Sequence, residues 1–240
     1  MILNYDIITV GAGTSGSFAA YHLAKMGFKV AIIERKPQEE IGIKVCGDAI
    51  GGHHFDHLKL EKPKLGYDAE TVFKGIKVYD PNEKNYVIAS GEGYALNRYK
   101  FGQRILKMAL NAGAELYDKH QATQPIIEGS WVKGVKTANL KTGEKKEFHA
   151  KVIIDASGAT SIIRLKLPEE WWVSEKIPQE DYDICYREII ELDKEIETEY
   201  AMVYLNTEIA PGGYWWFFSQ KQKHSKCGAR SSMDSRIAKP

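Results

Sequence analysis

The residues with the clearest chemical meaning are Gly11-Ala12-Gly13-Thr14-Ser15-Gly16, which follow the apolar residues Ile7, Ile8 and Val10 and open a helical pattern. Glycine in the first position permits a tight turn. In the second it lets the backbone approach a pyrophosphate, and in the third it lets a helix pack closely on its strand, so that free N–H groups at the helix's positive end face the anion. Phe18, Ala19, Leu23 and Met26 continue at helical spacing, Gly27 stops the helix, and a second strand, Lys29 to Ile33, ends in Glu34. An acid roughly 20 residues after the glycines is the carboxylate expected on a ribose, so the stretch carries the full dinucleotide fingerprint.

Further groups stand outside that stretch. Cys46-Gly47 lies in a loop after Pro37 and Gly42, where a thiol could sit over a cofactor ring or be an ordinary small half-buried residue. Arg98 sits just ahead of a helix carrying Phe101, Ile105 and Leu106; it could reach a phosphate or make a surface ion pair. The apolar strand Lys151 to Asp155 ends in Asp155-Ala156-Ser157-Gly158, an acid and a glycine where open α/β sheets bind ligands. In Tyr214-Trp215-Trp216-Phe217-Phe218 alternation puts Tyr214, Trp216 and Phe218 on one face, which serves a core or an apolar pocket equally well. His53, His54 and His57 with Asp56 have no further ligand nearby and read as a solvated helix face, leaving no metal site.

The elements that position these groups alternate between strand and helix. Residues 49–58 are expected as a short helix, 71–79 and 85–90 as a hairpin excursion about Asp80-Pro81-Asn82-Glu83, 124–148 as an antiparallel meander, and 182–192 and 200–205 as strands. A hydrophobic content of 43% supports a sizeable core, and no stretch has the length of a membrane span. The N-terminus runs straight into strand residues, so neither signal peptide nor anchor is expected, and the location is expected to be cytoplasmic. Three widely spaced cysteines fit a reducing compartment, and a net charge of +1 points to no nucleic-acid partner.

Taken together, Gly11-x-Gly13-x-x-Gly16 with Glu34, Cys46-Gly47, Leu96-x-Arg98-x-x-Phe101, Asp155-Ala156-Ser157-Gly158 and Tyr214-x-Trp216-x-Phe218 resemble the geranylgeranyl reductase family, archaeal type, within the para-hydroxybenzoate hydroxylase-like flavoproteins. The resemblance implies an α/β chain: a Rossmann-like FAD-binding fold with an inserted β-meander, then the start of an antiparallel β substrate domain. Its domains would be residues 1–168 and 169–218. FAD would lie over Gly11, Gly13, Ser15 and Gly16, with its ribose on Glu34 beside Arg35. Cys46, Gly47, Arg98, the backbone near Ala122, Asp155 and Gly158 would complete that site. The implied reaction saturates isolated C=C bonds of geranylgeranyl chains in isoprenoid lipids. Cys46 and Tyr214 are the proton-donor candidates, and Tyr214, Trp216 and Phe218 line the isoprenoid cavity. The electron donor stays open between NAD(P)H and ferredoxin, and peripheral contact with the inner membrane surface is expected from the lipid substrate. A flavin monooxygenase or halogenase acting on an aromatic substrate is the alternative enzyme, and a non-catalytic remnant the alternative of another class.

Residues 219–240 depart from the family pattern. They hold six basic residues and one acid, leaving 27 basic and 31 acidic before them, and have almost no apolar periodicity. They are therefore expected to be a disordered basic tail read from a shifted frame. The strand Tyr214 to Phe218 would keep an open edge, and the family's later flavin-ribityl Gly-Asp motif would be missing.

Overall fold

The computed structural model describes residues 2–193, 196, 199–221 and 224–232. Its elements in chain order are β1 (Ile2–Asn4), β2 (Ile7–Val10), α1 (Thr14–Lys25), β3 (Val30–Ile33), β4 (Ala49–Gly51), α2 (His53–His57), β5 (Ala69–Tyr79), β6 (Tyr86–Leu96), α3 (Arg98–Asn111), β7 (Glu115–Tyr117) and β8 (His120–Glu128). There follow β9 (Trp131–Asn139), β10 (Lys145–His149), β11 (Val152–Asp155), β12 (Asp183–Glu191), β13 (Tyr200–Tyr204), β14 (Tyr214–Lys221) and β15 (His224–Ser232). Two units result, Met1–Ile43 with Gly102–Lys176 and Lys44–Phe101 with Ile177–Pro240.

The first unit is built on a parallel sheet in the order β11-β2-β3-β7, in register at Ile8↔Ala31 and Ile153↔Ile8. Every residue of β2 and β3 is buried, because their continuous Ile- and Val-rich runs suit a sheet covered on both sides. Ile7, Val30 and Ile32 face Ala20 and Ala24 of α1 and Leu106 and Ala109 of α3. Ile8, Val10, Ala31 and Ile33 face Ala122, Val135 and Phe148 of the second sheet, order β1-β10-β9-β8. The meander expected at 124–148 is that sheet, longer at its start and extended by β1, which pairs parallel to β10. Each fully buried isoleucine here contributes about 1.5–3 kcal/mol.

The second unit is a seven-stranded sheet, order β12-β15-β14-β13-β5-β6-β4, antiparallel except where β13 runs beside β5. The hairpin expected at 71–90 does lie outside the nucleotide unit, but it reaches from Ala69 to Leu96 and shares a sheet with β12 to β15. The division at 168 gives way to breaks after residues 43, 101 and 176. Residues 49–58 are not one helix either. Ala49–Gly51 pairs with Gly93–Ala95 of β6, and the Gly52 N–H donates to the Glu92 carbonyl at 2.6 Å, so only His53–His57 is helical. Two glycines in succession weaken a helix there.

The expectation of a disordered tail is overturned through Ser232. Ser219 and Lys221 continue β14, and β15 is a central strand, laddered to β14 at Trp216↔Gly228 and to β12 at Arg187↔Gly228. Apolar periodicity missed β15 because backbone ladders on both of its sides, rather than apolar alternation in its sequence, specify it. The edge of β14 is covered, and residues 233–240 lie outside the described residues.

Candidate functional site

In the first unit, chain geometry makes a cradle at the carboxyl ends of the parallel strands. Gly11 has φ +102°, and a Cβ there would lie 2.5 Å from the Ala156 carbonyl oxygen. At Gly16 a Cβ would lie 1.9 Å from the Gly11 oxygen, so loop and helix touch backbone to backbone. Gly13 is the opposite case, with nothing within 4 Å of the Cβ position. It caps α1, whose first turn has no acidic residue and no side-chain cap, leaving its N–H groups to an anion. Exposed Ser15 is in that turn.

Glu34 is fixed by backbone donors: Ala12 N–H to Oε2 at 2.7 Å and Lys36 N–H to Oε1 at 2.9 Å. Its carboxylate therefore stands beside the glycine loop with lone pairs left for a ribose. Arg35 is exposed next to it, and Ala122 is buried in the core under β2 and β3. Asp155 takes a different part from the one expected. Its Oδ1 accepts from the Ser157 N–H and hydroxyl, and its Oδ2 from the N–H groups of Ile163 at 3.0 Å and Arg164 at 2.9 Å. Four donors use up the carboxylate in shaping the 156–164 turn, whose Ala156 meets Gly11 and whose Gly158 is exposed. The open face at Gly13, the bare helix end and the oriented acid fit the pyrophosphate and ribose of FAD.

In the second unit the structure brings Cys46-Gly47 onto the aromatic motif. A Cβ on Gly47 would lie 3.1 Å from both Trp216 Nε1 and Phe218 Cε2. Trp216 and Phe218 are buried with Phe73, Ala95, Ala201 and Val203, their rings 6.1 Å apart, and half-buried Tyr214 has its ring 6.1 Å from Trp216. Trp215 faces the other way, stacked on Tyr204 at 3.8 Å and 4°, so the two faces divide as alternation requires. Cys46 is exposed. Arg98 is the first residue of α3 rather than a loop residue, behind Asn97, whose Oδ1 caps the Lys100 N–H at 3.0 Å.

Two residues of this site had no individual signal in the sequence. Arg187 Nη1 donates to the Cys46 carbonyl at 3.2 Å and meets Asp48 Oδ2 at 3.4 Å, and Asp48 is a buried residue with φ +66°. An arginine on the Cys185–Ile189 face of an expected strand was the available hint.

A family model described as FAD dependent oxidoreductase matches residues 6–166. The chain belongs to this family. A second model, the geranylgeranyl reductase catalytic domain, matches residues 181–230, which takes in β15 as far as Arg230, and the shifted-frame reading falls with the disordered tail. Over 227 residues the chain is 37% identical to the digeranylgeranylglycerophospholipid reductase of Sulfolobus acidocaldarius, covering 94% of this chain and 50% of that one. The protein of the same name from Methanosarcina acetivorans is 33% identical, with 93% and 54% covered. The chain thus spans about half the length of the curated relatives it matches. Among solved structures, a geranylgeranyl bacteriochlorophyll reductase-like protein from Thermoplasma acidophilum superposes with a TM-score of 0.85 at 28% identity, over 98% of this chain and 58% of that one. A myxobacterial chondrochloren halogenase has a TM-score of 0.75 at 18% identity, covering 98% and 55%, and shares the fold alone. These similarities bear out the resemblance to geranylgeranyl reductases, and FAD is the cofactor of the family. No helix among the described residues is long and apolar enough to cross a membrane.

Proposed function

We propose that the chain is the flavin- and substrate-contacting part of a reductase that saturates C=C bonds of geranylgeranyl chains in an isoprenoid glycerophospholipid. The observation that carries this reading is Gly47 packed on Trp216 and Phe218, which ties the cysteine loop to the aromatic motif inside the segment matching the reductase domain. Gly11, Gly13, Ser15, Gly16 and Glu34 would hold FAD, with Arg35, Ala122 and Gly158 around it, while Asp155 shapes the turn. Bound and reduced, FAD supplies a hydride. Saturating an alkene needs one proton besides, and the exposed Cys46 thiol is the donor we assign, with the Tyr214 phenol relaying its replacement. Tyr214, Trp216 and Phe218 present aromatic faces that stabilise positive charge developing on the chain. A lipid of this kind comes from a bilayer, so peripheral contact with the membrane belongs to the proposal. The halogenase likeness, at 18% identity, adds no support for chemistry on aromatic substrates.

The test uses dithionite as reductant, which makes the natural electron donor immaterial. Chain loaded with FAD is given a digeranylgeranylglycerophospholipid in detergent, and mass spectrometry looks for two added hydrogens per saturated bond, with the Sulfolobus relative as positive control. Cys46→Ser should keep flavin and lose reduction. Oxygen-dependent conversion of an aromatic acid, with no lipid reduced, would replace this reading.

A further inference from the structure

Cys46 is an exposed residue on a short connection between units of regular structure, yet the two residues after it are tightly held. Asp48 is buried, adopts φ +66°, and through its carbonyl accepts the Leu96 N–H at 2.8 Å, which ties it to the end of β6. Aspartate is one of the few non-glycine residues that enter this left-handed region readily, and its surroundings hold it there. Those surroundings are two strands of the same sheet. On β12, Arg187 reaches Asp48 Oδ2 at 3.4 Å and the carbonyl of Cys46 itself at 3.2 Å through one nitrogen, Nη1, with its side chain 18% exposed and that of Asp48 fully buried. On β14, Trp216 and Phe218 press on Gly47 from the other side.

Register explains how a loop fits there. Arg187 and Trp216 are both opposite Gly228, so no side chain of the strand between them separates the two. The indole Nε1 of Trp216 lies 3.1 Å from where a Gly47 Cβ would be, so this side of the loop has no room for a larger residue.

We propose that Arg187 is a positioning residue for the Cys46 thiol: by clamping the Cys46 carbonyl and Asp48 against the Trp216–Phe218 face, it fixes where the thiol stands. The inference rests on the proposed role of Cys46 as proton donor. Arg187 itself touches no reacting atom. Lysine is a poor substitute, since a single ammonium on a flexible stem does not reproduce the fixed guanidinium geometry.

The test measures thiol accessibility and needs neither flavin nor lipid. In the full chain with Cys185 and Cys227 changed to Ser, the alkylation rate of Cys46 by iodoacetamide is followed in the otherwise native protein and in Arg187→Lys and Arg187→Gln. The expected order is native slowest, Lys intermediate, and Gln about tenfold faster than native, as a locally released segment opens. Circular dichroism checks that each variant is folded. If the Gln variant does not fold, the Lys variant carries the comparison, with about threefold acceleration expected. Equal rates in folded variants, with or without a lowered thermal midpoint, overturn the proposal and leave Arg187 a structural ion pair. A Cys46→Ser protein that still reduces lipid overturns the proton-donor role instead, and the alkylation series separates the two failures.

Discussion

The N–H of Ala12, inside the glycine loop, donates to Glu34 Oε2 at 2.7 Å. The acid that would bind a ribose therefore also holds the loop that would bind the pyrophosphate, and a change at Glu34 acts on both. Glu34→Ala removes the acceptor of two backbone donors along with the ribose contact, and hydrogen bonds to a charged group contribute about 1.5–3 kcal/mol each. FAD affinity should fall roughly 100-fold in Glu34→Ala, with Glu34→Gln in between. Quenching of flavin fluorescence on titration gives the dissociation constants, and identical values for all three proteins would remove Glu34 from the site.

Gly13 and Gly16 are three residues apart and should fail in different ways. A methyl at Gly16 collides with the Gly11 carbonyl at 1.9 Å, backbone against backbone, so Gly16→Ala should lower stability by several kcal/mol and lose flavin as a consequence. At Gly13 nothing lies within 4 Å, and φ is −64°, so Gly13→Ala should unfold at nearly the native urea midpoint and still bind FAD at least tenfold more weakly. A Gly13→Ala protein with native affinity would mean that the open face beside Gly13 is not where the pyrophosphate lies.

The contrast marks how far the sequence could be read. The strand–loop–helix unit was legible from Gly11 to Glu34 because it is local: its glycines and its acid sit on adjoining elements, and β2 and β3 show their burial by being apolar at every position but Thr9. Sheet order was not legible. β5 and β6 are more than 80 residues from β14, and nothing in their patterning says that they share its sheet. β15 was misread for a related reason, since a strand enclosed by two ladders draws its stability from backbone pairing and needs no apolar alternation of its own. Asp155 looked like a ligand by position, yet its four donors are backbone and hydroxyl groups within nine residues, an arrangement that a residue list does not display.

The face of the second unit's sheet opposite Trp216 carries its own aromatic ladder. Trp215 stacks on Tyr204 at 3.8 Å, Tyr204 on Tyr79 at 4.5 Å, and Tyr79 meets Tyr86 at 5.2 Å, across β14, β13, β5 and β6 in order. Trp215 Nε1 also donates to Glu83 Oε1 at 3.2 Å, tying the β5–β6 turn to β14. Because β13 joins β5 as a parallel pair, these contacts link segments distant in sequence. Trp215→Ala should cost about 2 kcal/mol, less than a fully buried tryptophan because the ring is half-exposed, and Trp215→Phe about half as much. Urea unfolding followed by circular dichroism measures both; a change within about 0.5 kcal/mol would show the ladder to be incidental.

The last expectation concerns alkaline pH. Tyr94 is 5% exposed, and its hydroxyl donates to Glu92; burial first, then that carboxylate, push its phenol up to about 12 from an ordinary value of 10. The hydrogen bond from Tyr94, followed by the Lys62 ammonium, holds Glu92 below the usual carboxylate range. The folded state therefore keeps the Tyr94 proton that the unfolded chain releases above pH 10. Its contribution is complete below pH 10 and drains away as pH rises towards 12, by at most about 3 kcal/mol at 1.4 kcal/mol per pH unit. Tyr204, likewise raised to about 12 chiefly by burial, acts in the same direction and window. Tyr94→Phe should cost roughly 1 kcal/mol at pH 8, where the hydrogen bond to Glu92 is lost, and then lose less stability than the native protein between pH 10 and 11.5. Urea midpoints at pH 8, 10 and 11.5 for the two proteins read this as converging curves. Parallel curves would mean that Tyr94 ionises alike in the folded and unfolded chains, and the alkaline loss would then fall to the other tyrosines.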